Sequence, residues 1–189
     1  GALLEQAYEL IRQHDIVGAA NRLEEALAID FDNGEVVTSL KYVNFWKDRQ
    51  ATAEEIGNTF ERAEYLLAQW KLFSGFVRRV GATEEACQYA LRKHVFGEAL
   101  DYYLELYRDS DGEDAELLLR IGRCYKGKGE YDRALGYLET AATKAKDNAA
   151  ILAELADSYA MVNDVQKAKA FFREAFFVDA QKIDLASLE

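Results

Sequence analysis

An internal repeat with a period of 34 residues restricts the fold of this chain more than any other feature of the sequence. Five positions carry the same or a similar side chain when the sequence is shifted by 34 residues. The pairs are Gly122 with Ala156, Tyr125 with Tyr159, Ala134 with Ala168, Leu138 with Phe172, and Ala141 with Ala175. A fixed period of this length indicates a repeat architecture, in which each unit buries its apolar face by stacking on the next.

The spacing of apolar residues predicts that every element is a helix. They recur three and four positions apart almost throughout, and no run alternates with the period of two that a strand needs. The absence of proline from all 189 residues agrees, because proline is excluded from helix interiors. With 50% hydrophobic residues, the chain is long enough to bury a sizeable core. We therefore expect an all-α fold.

A 34-residue helix-turn-helix period with small and aromatic residues at these places resembles the tetratricopeptide repeat (TPR) family. The resemblance is clearest over residues 115–180 and is degenerate upstream. It implies a right-handed superhelical stack of antiparallel helical hairpins, that is, a TPR-like α-solenoid. The sequence departs from the family at the ends of units, where a proline is common and where Lys146 and Ala180 stand here.

The repeat register predicts a single TPR-like domain over residues 1–189, built from five hairpins. Ala99 lies 35 positions before Ala134, but Ala63 lies 44 positions after Ala19, so we expect an insertion in the second hairpin. This insertion, near residues 47–58, is either a longer helix or a loop. The predicted hairpins span about 2–30, 33–75, 82–110, 114–146 and 149–178, and residues 179–189 form a tail or partial cap.

The residue five positions before each repeat alanine is predicted to end the first helix of its hairpin. These residues are His14, Asn58, His94, Gly129 and Asn163. Gly, Asn and His tolerate the positive φ angle that such helix ends require. Both histidines are therefore interpreted as caps and not as catalytic or metal-binding residues.

Composition and charge exclude several functions. A net charge of −11 disfavours binding to nucleic acid, which needs a surplus of Lys and Arg. No apolar run is long enough to predict membrane insertion. Cys87 and Cys124 are predicted to be buried thiols. The chain starts without Met, which we interpret as a processed or recombinant start, so the location stays open between the cytoplasm and the periplasm or exterior.

Segments that resemble catalytic or cofactor motifs fail on inspection. Residues 122–129 resemble a phosphate-binding loop but lack its hydroxyl residue and a preceding strand. Residues 30–35 and 109–114 resemble calcium loops but have the glycine at the wrong position. We therefore expect no catalytic residue, no metal and no cofactor, and we expect that the protein is not an enzyme.

The family resemblance implies a protein-protein interaction scaffold that binds a peptide or protein partner in a concave groove. In the repeat register, the predicted groove is aromatic in its N-terminal half and partly basic in its C-terminal half, so it would anchor an apolar side chain and a carboxylate. An alternative stays open for Tyr42, Phe45 and Trp46, which could pack against the inserted segment instead. The predicted groove residues are Tyr8, Arg12, Tyr42, Phe45, Trp46, Gln88, Arg92, Leu119, Arg123, Lys126, Asp157 and Met161.

A structural oligomer with no groove ligand is the alternative function. Three aromatic residues, Phe73, Phe171 and Phe177, exceed what one face of their helices needs for the core. Because a repeat array needs a polar cap at its end, we hypothesise that they support self-association as a homodimer.

Overall fold

The computed structural model describes residues 1–179, and these residues form nine α-helices and no strand. The prediction of an all-α fold is confirmed. The helices are α1 Ala2–Arg12, α2 Ile16–Ile29, α3 Gly34–Glu54, α4 Thr59–Val80, α5 Glu85–Asp109, α6 Ala115–Gly127, α7 Tyr131–Lys144, α8 Ala149–Met161 and α9 Val165–Asp179. The predicted tail beyond Asp179 lies outside the described residues.

Asp and Asn side chains begin six of these helices. Each side chain accepts a hydrogen bond from a backbone N–H of the first turn, at distances from 2.8 to 3.3 Å. Such caps satisfy N–H groups that have no partner within the helix. The capping residues are Asp15 for α2, Asn33 for α3, Asn58 for α4, Asp114 for α6, Asn148 for α8 and Asp164 for α9.

Three of the five predicted helix-ending residues adopt the expected conformation. His14, Gly129 and Asn163 have φ angles of 68°, 83° and 65°. The prediction is wrong for Asn58, which has a φ of −81° and caps the start of α4. It is also wrong for His94, which lies inside α5.

The region of the predicted second and third hairpins differs most from the expected pattern. The ten extra residues lengthen helices instead of forming a loop, since α3 has 21 residues and α4 has 22. In place of a hairpin over 82–110, the structure has the single 25-residue helix α5. Gly97, at the place of the predicted turn, is helical and does not break α5. A Cβ at this position would stand 3.1 Å from Cε1 of His14, so the glycine leaves space for that ring.

The chain divides into two compact units, where the sequence predicted one domain. Unit 1 is Gly1–Tyr102 and unit 2 begins at Tyr103, so the boundary falls within α5. Inside unit 1, α1 packs on α2, α2 on α3 and α3 on α4. Inside unit 2, α6 packs on α7, α7 on α8 and α8 on α9. None of the helices in residues 1–179 has the length and apolarity that a membrane span requires.

The crossing of α6 and α7 in unit 2 explains why the repeat needs a small residue. A Cβ atom added to Gly122 would stand 2.6 Å from Cγ and Cδ2 of Leu138, which is fully buried. Only a glycine allows the two helices this close an approach without displacing the leucine.

Candidate functional site

The aromatic half of the predicted groove lies in the core of unit 1. Tyr42 and Trp46 have no exposed surface, and Tyr8 and Phe45 are 1% and 6% exposed. The Trp46 ring stacks on Trp70 with 5.8 Å between ring centroids. Side chains buried to this degree fill space between helices, so the structure supports the core alternative for Tyr42, Phe45 and Trp46 and places Tyr8 in the core as well.

Two of these tyrosines also hold polar contacts inside unit 1. The Tyr42 hydroxyl donates to the carbonyl of Ala82 at 2.6 Å. The Tyr8 hydroxyl lies 2.9 Å from Oγ of Ser39 and donates to Glu35 at 3.1 Å. Burial raises the pKa of both tyrosines above the usual value. Both hydroxyls therefore stay protonated and act as structural hydrogen-bond donors.

The remaining predicted groove residues of unit 1 do not form a charged cluster. Arg12 is exposed and pairs with Glu9 at 3.1 Å. Gln88 is half-buried, and the half-buried Arg92 has its guanidinium 5.9 Å from the centroid of the Phe96 ring. Arg12 therefore belongs to a surface ion pair, and Arg92 lies near an aromatic ring.

In unit 2, the predicted groove residues on α6 and α8 come together in an ionic network. Nε of Arg123 lies 3.1 Å from Oε1 of Glu154, and Nζ of Lys126 lies 2.7 Å from Oε2 of the same carboxylate. Nζ of Lys126 also lies 3.0 Å from Oδ2 of Asp157. We call Arg123, Lys126, Glu154 and Asp157 the α6/α8 network. Its two positive and two negative charges balance.

Burial of the α6/α8 network is uneven. The side chains of Lys126, Glu154 and Asp157 are 7%, 1% and 4% exposed, whereas that of Arg123 is 30% exposed. The two bases were predicted to be open points of positive charge, and the structure corrects this, because each base pairs with an acid of α8. Arg123 alone keeps a substantial part of its side chain accessible.

Glu154 was missed by sequence analysis although the sequence carries a signal for it. Arg123 and Lys126 are three positions apart on α6, and Glu154 and Asp157 have the same spacing on α8. Each base precedes its acid by 31 positions, and side chains three apart share a helix face. Two bases on the first helix of one hairpin and two acids at the same spacing on the first helix of the next hairpin therefore predict pairing between these helices.

The remaining hydrophobic residues that were predicted for binding or self-association differ in exposure. Leu119 is buried and Met161, at the end of α8, is 38% exposed. Phe171 is half-buried and stacks on Tyr159 at 5.5 Å, whereas Phe177 is 80% exposed. Phe73, which was predicted for self-association, is 2% exposed in the unit 1 core, so that prediction is wrong for this residue.

The two histidines of the sequence meet in unit 1. Nδ1 of His14 lies 2.8 Å from Nδ1 of His94 and 3.3 Å from Oε1 of Glu98. Burial lowers the pKa of His94 to about 4, and the hydrogen bond from His14 lowers the pKa of Glu98. Within residues 1–179, this is the one group of three His, Cys, Asp or Glu side chains with a geometry suited to a metal ion.

The helical hairpins of residues 115–179 and their 34-residue offset define a helical-repeat protein. Residues 127–189 match the family model described as tetratricopeptide repeat. This match agrees with the resemblance found in the sequence and supports a tetratricopeptide repeat assignment for the C-terminal third of the chain. Proteins of this family are generally scaffolds for protein-protein interaction.

Solved structures that resemble the chain are similar along almost its whole length but at low identity. MamA MSR-1 is 15% identical, with 95% of each chain covered and a TM-score of 0.43. YrrB, described as a TPR protein with an unusual peptide-binding site, is 16% identical, with 95% of this chain and 86% of YrrB covered and a TM-score of 0.45. TTC0263, a thermophilic TPR protein in Thermus thermophilus, is 18% identical, with 96% and 92% covered and a TM-score of 0.43. No curated protein matches the chain.

Proposed function

We propose that this protein is an interaction scaffold that binds a segment of a partner protein along α6 and α8, the first helices of the two hairpins in unit 2. The α6/α8 network is the observation that carries the proposal. Four charged side chains converge where these two helices adjoin, and three of them are almost fully buried.

Stability alone is a poor reason for such a network. Taking ions out of water costs several kcal/mol each, and apolar residues of similar volume often stabilise a protein equally well or better. Pairs of buried charges instead fix which faces of α6 and α8 adjoin, and here they also hold the partly exposed Arg123 in place. This supports a role in recognition.

The exposed parts of the network suggest which partner chemistry fits. The Arg123 side chain is 30% exposed, and a carboxylate of the partner can contact it while Lys126 stays paired with Glu154. Met161, 38% exposed at the end of α8, offers a flexible apolar contact on the helix that carries Glu154 and Asp157. A segment with one acidic and one apolar side chain satisfies both.

A library of displayed random peptides, selected on the immobilised full chain, tests this function. We expect selected peptides to carry an acidic residue and to lose affinity as salt concentration rises. Arg123→Gln should weaken binding about tenfold, as expected for loss of one charged interface contact. Arg173→Gln, a change at an exposed arginine of α9, should leave binding within about twofold.

Circular dichroism must show that both variants fold. Failure to select any peptide, or equal affinity of the two variants, would contradict binding along α6 and α8.

Self-association is the second candidate function, and the exposed aromatic end of α9 favours it. Phe176 and Phe177 are 66% and 80% exposed. Adjacent exposed aromatic residues on a helix are typical of a contact surface.

Light scattering over the micromolar range checks this alternative. A homodimer should have twice the chain mass of 21.4 kDa, and Phe177→Asp should return it to a monomer. The exposed Val17→Asp in unit 1 provides the control and should leave the mass unchanged. A native chain that stays monomeric throughout this range would rule the homodimer out.

A further inference from the structure

We infer that His14, His94 and Glu98 form a binding site for a single divalent ion of the zinc class. The three side chains come from the turn after α1 and from α5, and all lie within unit 1. Their ligand atoms, the two Nδ1 nitrogens and a carboxylate oxygen, lie within 4.8 Å of one another.

Two of the three separations between ligand atoms are close to those around a small tetrahedral ion. Bonds of about 2.0–2.1 Å place tetrahedral ligands roughly 3.4 Å apart. The 3.3 Å between Nδ1 of His14 and Oε1 of Glu98 already matches this separation. The two Nδ1 nitrogens, now 2.8 Å apart, need to separate by only about half an ångström to admit the ion.

The type of ligand selects the class of metal. Two imidazole nitrogens and one carboxylate suit Zn²⁺ and its transition-metal neighbours, and two His with one Glu is a recurrent zinc set that leaves a fourth position for water. Mg²⁺ and Ca²⁺ prefer sites made entirely of oxygen. The His14 side chain is 39% exposed, so solvent can reach this side of the group and supply the fourth ligand.

The backbone around the three ligands is arranged for their approach. His94 and Glu98 are four positions apart on α5 and therefore point from the same helix face, a spacing used by metal-binding helices. His14 takes a positive φ of 68° in the turn between α1 and α2. A Cβ at Gly97 would stand 3.1 Å from Cε1 of His14, so the glycine makes room for this ring beside α5.

A second ring of contacts orients the buried histidine. Nε2 of His94 lies 3.1 Å from Oε1 of Gln50 on α3. Because an amide oxygen only accepts, Nε2 carries the proton and donates it, which leaves the lone pair of His94 on Nδ1 facing His14 and Glu98. A histidine ligand that donates its other N–H to an oxygen acceptor is the usual arrangement in metal sites.

Without a metal, hydrogen bonds join the same three ligand atoms. Nδ1–H of His14 donates toward Nδ1 of His94 and toward Glu98, so the group is a hydrogen-bonded contact between elements 80 residues apart. A metal ion replaces this proton and joins the same elements by coordinate bonds. Because the site forms only in the folded chain, metal binding should stabilise unit 1.

Calorimetric titration of the chelator-treated full chain with ZnCl₂ at neutral pH tests the site. We expect one Zn²⁺ per chain with micromolar or tighter affinity, a rise in the melting temperature, and no comparable heat with MgCl₂. Co²⁺ should give the intense visible absorption of a tetrahedral complex. No heat with ZnCl₂, or an octahedral Co²⁺ spectrum, overturns the proposal.

Two variants locate the ion. His14→Asn removes an imidazole but keeps a residue that tolerates positive φ, and it should reduce Zn²⁺ affinity at least tenfold. Glu85→Gln, at an exposed acid on the same helix, should bind like the native chain. Equal binding by both variants would assign the ion to other surface groups and overturn the site. Circular dichroism without metal confirms that both fold, and Glu98→Gln gives a second ligand variant if His14→Asn does not fold.

Discussion

Units 1 and 2 are built from helices alone, yet they differ in what fills the space between those helices. In unit 2, small residues such as Gly122 and Ala134 stand where helices cross, and a large residue such as Leu138 lies beside them. In unit 1, Trp46 and Phe73 fill the space between two helices of 21 and 22 residues. A repeat period is thus visible where close backbone approach requires a small residue at a fixed place, and it fades where large rings provide the packing.

The largest expected effect is loss of the unit 1 core ring. Trp46→Ala should lower the free energy of unfolding by about 3–5 kcal/mol, because it removes a fully buried aromatic side chain and leaves a cavity. Fluorescence of Trp70 during urea unfolding measures it, since both tryptophans of the chain lie in unit 1. Leu72→Ala, at a side chain 59% exposed on α4, is the control and should cost under about 1 kcal/mol. A cost below that of the control would show that unit 1 does not depend on its aromatic core.

The second effect concerns charge, the feature that sets unit 2 apart. Lys126→Met should cost about 3 kcal/mol, because it leaves Asp157 and Glu154 buried without this cation. Lys128→Met, at a more exposed lysine paired with Glu130, should cost under about 1 kcal/mol. Far-ultraviolet circular dichroism during urea unfolding compares the two. Equal stability of the two variants would show that water already solvates the charges of the α6/α8 network.

Acid should weaken unit 1 through its histidine pair. The pKa of His94 is about 4 in the folded chain and near 6.5 when unfolded, so the unfolded chain binds more protons between these values and stability falls as the pH drops through this window. The lowered pKa of Glu98 acts in the same direction at lower pH. We expect a loss of about 2–3 kcal/mol from pH 7 to pH 4 with chelator present, measured by tryptophan fluorescence. His94→Gln should flatten this dependence, and an unchanged slope would contradict the burial of His94.

The smallest effect tests the small-residue crossing of unit 2. Gly122→Ala should cost about 1–2 kcal/mol, because the new methyl group overlaps Leu138 in the core. Gly136→Ala, at a helical glycine with open space around it, should instead stabilise by up to about 1 kcal/mol. Thermal unfolding followed by circular dichroism distinguishes them. Stabilisation by both changes would show that the crossing tolerates a larger residue.

The predicted helix ends are both correct in unit 2, whereas in unit 1 only His14 of three is correct. Gly129 and Asn163 were placed correctly because the repeat is regular around them and a left-handed helix end is a local property. His94 has a similar local sequence but lies inside α5, where it contacts Gln50 and His14. Its position depends on helices far away in the sequence, which periodicity does not reveal.

The sequence did not reveal which of the predicted groove residues are buried. The register assigned Arg123, Lys126 and Asp157 to the groove, and the structure brings these three side chains together with Glu154, which the register did not include. It also assigned Trp46 to a groove, although the side chain is fully buried. A helical period identifies which residues share a face, and only the packing of a second helix determines whether that face meets solvent.

The sequence by itself determined that the chain is helical, that its C-terminal part repeats every 34 residues, and that Gly129 and Asn163 end helices there. These properties depend on contacts within a few residues or within one hairpin. Tertiary structure decided that the aromatic residues form a core, that the bases of α6 pair with acids of α8, and that two histidines 80 residues apart meet. Burial, charge pairing and ligand geometry arise from side chains of different helices, so they exist only once those helices pack.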